Sequence, residues 1–200
     1  YETHMFTLIR AFIAIPLTHE IHHNLDVFIQ SHGLANHDSG FHPVKPENIH
    51  LTLKFLGEVE TARIPVIGEQ LEKLAGTIRS TPITVSGVGA FPGWKKLPRV
   101  IWVGIQPVEP LQRIYQALDK VTTALGFPSE HRPFSPHLTL ARVKQQAAGP
   151  RFNQTIERMM ILEPALSFGE MQASEMILFK SVLQPAAPVY SILSEHKFIG

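Results

Sequence analysis

His50-Leu51-Thr52-Leu53 and His137-Leu138-Thr139-Leu140 are the same tetrapeptide, set 87 positions apart (from 50 to 137). Polar and apolar residues alternate in each copy, which is the period of a β-strand. Successive strand side chains point to opposite faces, so His and Thr share one face and the two leucines share the other. Each copy therefore has a side fit for burial and a side equipped for chemistry. By chance a His-apolar-Thr-apolar tetrapeptide arises in about one chain in ten at average residue usage. An identical pair is far rarer, and the spacing points to two related lobes around a central cleft, where ligands commonly sit.

Working outward, residues 6–15 are apolar and β-prone, interrupted by Arg10 and closed by Pro16. Thr18 can cap a helix running to about residue 30, with Ile21, Leu25, Phe28 and Ile29 on one stripe. The polar stretch 33–46 reads as loop. The first motif strand spans 49–56, and Gly57 ends it. A helix follows over 61–78, with Pro65 tolerable in its first turn. Residues 83–88 and 100–105 read as strands around a turn-rich loop, and 109–125 as a helix ended by Gly126 and Pro128. In the second half the motif strand lies within 134–143, a helix within 151–162, and strands at 166–171, 175–183 and near 190–193. Each motif is expected on a central strand with a helix nearby. Strands outnumber helices and the connections are mixed. The expected class is α+β, two lobes of antiparallel sheet with flanking helices, rather than a doubly wound parallel sheet.

The chain has 200 residues, no Cys and a formal net charge of +1. A chain of this length buries roughly 70% of its unfolded surface and needs no staple to fold. The absence of Cys excludes disulfides, thiolate metal sites and a Cys nucleophile, and fits a reducing, cytoplasmic setting. There is no global basic field for gripping duplex nucleic acid. A small anion or an RNA end needs only local cations. No apolar run approaches a membrane span, and the N-terminus lacks the pattern of a signal peptide. Tyr1-Glu2-Thr3-His4 reads as an appended leader before a native Met5, which leaves 5–200 as one bilobal domain. No obligate protein partner is expected, and the chain is read as a monomer.

Two imidazoles facing each other across a cleft can deprotonate a water and protonate a leaving oxygen at opposite ends of an in-line displacement at phosphorus. Thr52 and Thr139 point the same way as the histidines and can donate hydroxyl hydrogen bonds to phosphate oxygens. Arg142, five residues past His137, can add a charge-assisted contact where charge builds in the transition state. Such a site asks for no metal or other cofactor.

The stretches "HLTLKFLGEV" (50–59) and "FSPHLTLARV" (134–143) resemble the paired signatures of the 2H phosphoesterase superfamily. "RAFIAIPL" (10–17), "GVGAFPG" (87–93), "PRVIWVGI" (98–105) and "FKSVLQPAAPVY" (179–190) resemble segments of its RNA 2′,3′-cyclic phosphodiesterase family, also called the 2′-5′ RNA ligase family. The resemblance implies a bilobal fold with pseudo-two-fold symmetry. It implies metal-independent hydrolysis of an RNA or nucleotide 2′,3′-cyclic phosphate to a 2′-phosphomonoester. His137 would be the base acting on water, and His50 the acid protonating the ribose 3′ oxygen. Thr52, Thr139 and Arg142 would hold the phosphate, and Phe55 matches a position that stacks on the terminal base. The C-terminal segment departs from the family pattern: Ala186 and Ala187 stand for a Gly before the Tyr, and Val182 for a basic residue after the Ser. Within the enzyme class, 2′-5′ ligation or cleavage uses the same four motif residues. An RNA-binding module without catalysis is the other class, although a pure binder has no need for two proton-transfer groups.

Other groups carry weaker signals. His19 and His23 have the i, i+4 spacing of a metal pair but no third ligand nearby. Lys95, Lys96 and Arg99 beside Trp94 can track an RNA strand or simply cap an exposed hairpin. Lys54 is expected on the same strand face as the motif, adding positive potential or lying solvated. Arg132 can reach a phosphate or lie in solvent. Arg10, if buried, should be paired.

Overall fold

The computed structural model describes residues 7–162 and 166–200. The first four residues, read above as a leader, lie outside the described residues. In chain order the elements are β1 (Leu8–Ile15), α1 (His19–Ser31), β2 (Phe41–Pro43), β3 (Leu51–Glu60), α2 (Ile64–Ala75), β4 (Thr81–Phe91) and β5 (Val100–Gln106). They continue as α3 (Val108–Ala124), β6 (His137–Val143), α4 (Pro150–Leu162), β7 (Ser167–Ala173), β8 (Glu175–Val182) and β9 (Val189–Lys197). The fold is α+β. One sheet runs β3-β1-β8-β9 and the other β2-β6-β5-β4-β7. All ladders within the two sheets are antiparallel.

Each sheet mixes strands from both halves of the chain, so the lobes are not the sequence halves. The helices interlock them further. Helix α1, which follows β1 of the first sheet, packs on β7 of the second. Helix α3, which follows β5 of the second sheet, packs on β3 of the first. Thr18 caps α1, its hydroxyl accepting from Ile21 N at 3.4 Å, an interaction worth about 1 kcal/mol. The apolar stripe Ile21, Leu25, Phe28 and Ile29 is buried as its spacing requires. One continuous core runs through both sheets and all four helices.

Several element boundaries differ from the sequence reading. The loop 33–46 contains the short edge strand β2, which pairs with β6. It is too brief to show a periodicity. The first motif strand is the outer strand of its sheet, not a central one. It also runs past Gly57, which takes φ +70° within the strand instead of ending it.

The departure that matters most is shared by the two motif strands. In β3, Thr52 pairs with Ala14 and Lys54 with Ile13, which leaves Leu53 as an extra residue. In β6, Thr139 pairs with Trp102 and Ala141 with Ile101, which leaves Leu140 extra. Both strands therefore bulge at the second leucine of the same tetrapeptide. A bulge resets the alternation by one residue. After it, Lys54 and Ala141 join the leucines inside, and Phe55 and Arg142 come back to the face of the histidines. Leu51, Leu53, Leu138 and Leu140 are all buried, each worth about 2 kcal/mol. A one-residue slip of either strand would exchange them for His and Thr, so the core itself holds the register.

Candidate active site

The motif side chains converge on one open cleft of about 540 Å³. His50, Thr52 and Phe55 enter from the first sheet, and His137, Thr139 and Arg142 from the second. All six residues singled out in the sequence therefore share one site. Each imidazole is held in the same way. His50 donates from Nδ1 to the carbonyl of Asn48 at 3.2 Å, and His137 donates from Nδ1 to the carbonyl of Ser135 at 2.7 Å. A carbonyl only accepts, so in both rings the proton sits on Nδ1 and Nε2 is left free.

The surroundings of the two rings differ. His50 packs at 4.7 Å from the Phe179 ring and 6.0 Å from Tyr190. Burial lowers its pKa to about 4; the Asn48 carbonyl opposes this, and His22 adds to the lowering. His22 donates from Nε2 to the Ile49 carbonyl at 2.9 Å, its ring 6.2 Å from that of His50. His137 is exposed, as is Arg142. Tyr190 has its pKa raised by burial, against the opposing charges of Arg142 and Arg10. Arg10 is itself exposed and needs no buried partner.

Phe55 is 73% exposed. It lies at the margin of an aromatic cluster in which Phe12 stacks on Phe179 at 5.1 Å and meets Tyr190 edge-on at 4.8 Å. A large aromatic this exposed gains little from core packing, so packing does not account for its position. Phe179 and Tyr190 escaped notice in the sequence as site residues, because their segment matched only as a C-terminal tail. Asn48 fixes that tail: its Nδ2 donates to the Pro188 carbonyl at 2.9 Å. The turn that departs from the family pattern is thus tied directly to the residue that orients His50.

Lys54 is not solvated: it lines the cleft wall with its ammonium buried and paired. Its Nζ donates to Asp119 Oδ1 at 2.8 Å and to the Pro128 carbonyl at 2.6 Å, with 3% of the side chain exposed. Asp119 also accepts from the Ser129 hydroxyl and the Glu130 amide. Desolvation would raise the Asp119 pKa, but the hydrogen bonds from Lys54, Ser129 and Glu130 hold it below the usual carboxylate value. This network straps the first motif strand and α3 to the loop that leads into His137. Tyr115 of α3 stacks on Phe134 of that loop at 4.5 Å and 6°. The bulge is what turns Lys54 inward, against the strict alternation of the strand.

Of the remaining candidates, Arg132 is exposed on the cleft rim. Lys95 and Lys96 are exposed on the β4–β5 loop, away from the cleft, while Trp94 turns inward onto the core. His19 and His23 are exposed on α1, and among the described residues no three metal-ligating side chains cluster. Among the described residues no helix is long and apolar enough to cross a membrane.

A family model described as LigT like phosphoesterase matches the chain twice, over residues 15–102 and again over 103–190, so that each match contains one copy of the motif. A Thermotoga maritima protein named RNA 2′,3′-cyclic phosphodiesterase is 33% identical over 96% of this chain and 96% of its own length. A crystal structure from Thermus thermophilus superposes with a TM-score of 0.75 at 29% identity, covering 96% of this chain and 99% of that one. Escherichia coli LigT complexed with NADP+ gives a TM-score of 0.70 at 27% identity, covering 96% and 98%. On the paired motifs, the shared cleft and a family match over nearly its whole length, this chain belongs to the LigT-like phosphoesterases.

Proposed function

We propose that the protein hydrolyses the 2′,3′-cyclic phosphate of an RNA or nucleotide end to a 2′-phosphomonoester, with two histidines moving the protons and no metal required. The observation that carries this reading is the matched pair of imidazoles. Each is fixed through Nδ1 to the carbonyl two residues earlier, which leaves Nε2 for chemistry, and each lines the same cleft as the motif threonines. That is the equipment for one proton abstraction and one proton donation.

The burial of the two rings favours one division of roles. His137 is exposed, so water reaches its Nε2, and it takes a proton from that water as the oxygen attacks phosphorus. The P–O3′ bond breaks, and His50, shielded by Phe179 and Tyr190, delivers its proton to the departing 3′ oxygen. The product carries a 2′-phosphate and a 3′-hydroxyl. Thr52, Thr139 and Arg142 bind the non-bridging oxygens, whose charge grows in the transition state. A proton is available on His50 because the substrate's own negative charge raises the pKa of the ring beside it. Phe55 offers an exposed face to the terminal base. The name borne by the Thermotoga maritima relative supports this substrate class. So does NADP+ on Escherichia coli LigT, since its adenosine ribose carries a 2′-phosphate, the group that this hydrolysis leaves.

Uridine 2′,3′-cyclic phosphate incubated with purified protein in excess chelator should yield uridine 2′-phosphate alone. Formation of the 3′-phosphate, no turnover, or turnover abolished by the chelator would overturn the assignment.

A further inference from the structure

The cleft does not end at Arg142. A second groove of about 510 Å³ opens from it, sharing Ser135, His137, Thr139 and Arg142, and continues over β4 and β5 to Ala90, Phe91, Val100 and Trp102. The strand register explains the continuity. Trp102 stands opposite Thr139 on one side and Gly89 on the other, while Val100 stands opposite Arg142 and Phe91. Trp102 lies in the same cross-strand row as the phosphate-binding threonine.

The floor of this groove depends on a glycine. The Trp102 indole lies directly over Gly89, where a Cβ would come within 2.1 Å of the ring. Any side chain at 89 would lift the indole off the sheet, so Gly89 lets the ring lie flat and partly exposed. Phe91 is 56% exposed at the rim, with the Arg99 guanidinium 5.4 Å from its ring centroid. Arg99 and Lys144 border an adjoining groove that also reaches Arg142. None of the residues lining the two grooves is acidic.

A free cyclic nucleotide has one phosphate and one base. The central site and Phe55 already account for both. Exposed aromatic faces beside a cationic rim bind single-stranded nucleic acid by stacking and backbone contact, and they lie here in direct continuity with the phosphate site. We infer that the Trp102–Phe91 groove seats the nucleotide adjoining the one that bears the cyclic phosphate, with Arg99 and Lys144 on the connecting backbone. The substrate class is then an RNA chain end rather than a mononucleotide. The inference rests on the cyclic-phosphate reading of the central cleft.

The test compares kcat/KM for uridine 2′,3′-cyclic phosphate with that for a trinucleotide ending in the same group. The wild-type protein should prefer the trinucleotide by about tenfold, the order expected from one stacked base, and added salt should narrow the gap. Trp102→Leu should lose most of the preference while keeping the mononucleotide value within about twofold. Arg99→Gln, at an exposed residue that can be changed without disturbing the core, should lose a smaller part of it and weaken its salt dependence. Equal kcat/KM for the two substrates in the wild type would overturn the inference, as would parallel losses on both substrates in Trp102→Leu together with no effect of Arg99→Gln. If neither substrate is hydrolysed at all, it is the reading of the central cleft that fails.

Discussion

The two motif strands share a tetrapeptide, a bulge at the same leucine and the same carbonyl tether on the imidazole, yet they face different surroundings. On the β3 side the residue returned by the bulge is Phe55, and the histidine is packed among Phe179 and Tyr190. On the β6 side that residue is Arg142, and the histidine is exposed. One backbone device thus presents two different surroundings. The aromatic side suits a nucleoside and a leaving oxygen kept from water, and the cationic side suits a phosphate and an attacking water. Matching the backbones and varying the fifth residue is an economical way for a duplicated motif to acquire complementary halves.

The largest effects should come from removing either imidazole. His50→Ala and His137→Ala should each lose about a hundred- to ten-thousandfold in kcat, with little change in binding. If the halves differ as their surroundings indicate, each variant also loses a different limb of the bell-shaped pH–rate profile. Under the proposed roles, His50 as the acid would govern the alkaline limb, and His137 as the base the acid limb. Near-normal turnover in either variant would break the pairing of the motifs, and identical surviving profiles would erase the division of roles.

Next comes the strap that joins the halves. Asp119→Ala leaves Lys54 buried without its carboxylate, which should cost about 3 kcal/mol of stability. Replacing both residues by apolar ones, Lys54→Met with Asp119→Leu, should recover much of that. The sign of the pH dependence follows from the lowered Asp119 pKa. Its contribution is present above the unfolded-state value and is lost as pH falls through the folded one. The gap between wild type and Asp119→Ala in chemical denaturation should therefore close in acid. A gap unchanged down to acid pH would show that the ion pair does not carry the effect.

A smaller contrast compares the two residues that the bulges return to the cleft. Arg142→Gln should lower kcat/KM by roughly ten- to a hundredfold, since hydrogen bonds to charged groups contribute about 1.5–3 kcal/mol. Phe55→Ala should cost about five- to tenfold, near the low end for a stacked base. It should leave stability within about 0.5 kcal/mol, because the ring is exposed. A ribose cyclic phosphate without a base separates them. Arg142→Gln should still impair its hydrolysis, and Phe55→Ala should not. Equal sensitivity of the two variants to the missing base would abolish the distinction between an aromatic and a cationic side.

The repeat and the fold class were legible from the sequence through local alternation and spacing, and the six residues singled out there, Phe55 among them only by resemblance, line one cleft. The interdigitation of the halves was not, since strand order across sheets is set by which helix packs on which sheet. The clearest example is Lys54. Strict alternation puts residues 50, 52 and 54 on one face, whereas the bulge puts 50, 52 and 55 there. Arg142 shows the same offset from His137, and that parallel was the available signal: a motif strand whose useful fifth residue lies at an odd distance must break its pleat in between. The carbonyl tethers of Asn48 and Ser135 left no trace at all, because a backbone oxygen belongs to every residue alike.

The last effect is the finest and concerns the proton on His50. In the free protein its pKa is lowered to about 4, so at neutral pH the ring is uncharged. An acid must hold a proton when the leaving oxygen departs. The negative charge of a phosphodiester bound in the cleft as proposed would favour the protonated form and raise the pKa. Binding should then take up a fraction of a proton at neutral pH. Affinity should fall as pH rises between the free and bound pKa values, by up to tenfold per pH unit at the steepest point. Uridine 2′,3′-cyclic phosphate is a suitable ligand because its single charge does not change across the neutral range. His137→Ala is a suitable host, because under the proposed mechanism it should bind with little turnover. Calorimetry in two buffers of different ionisation enthalpy measures the uptake directly. Proton uptake that disappears in His137→Ala combined with His50→Gln would assign the proton to His50. No uptake in the single variant, together with a flat affinity between pH 5 and 8, would mean that His50 stays neutral when the anion binds. In that case the buried ring could serve only as the base, and the roles of the two halves would be exchanged.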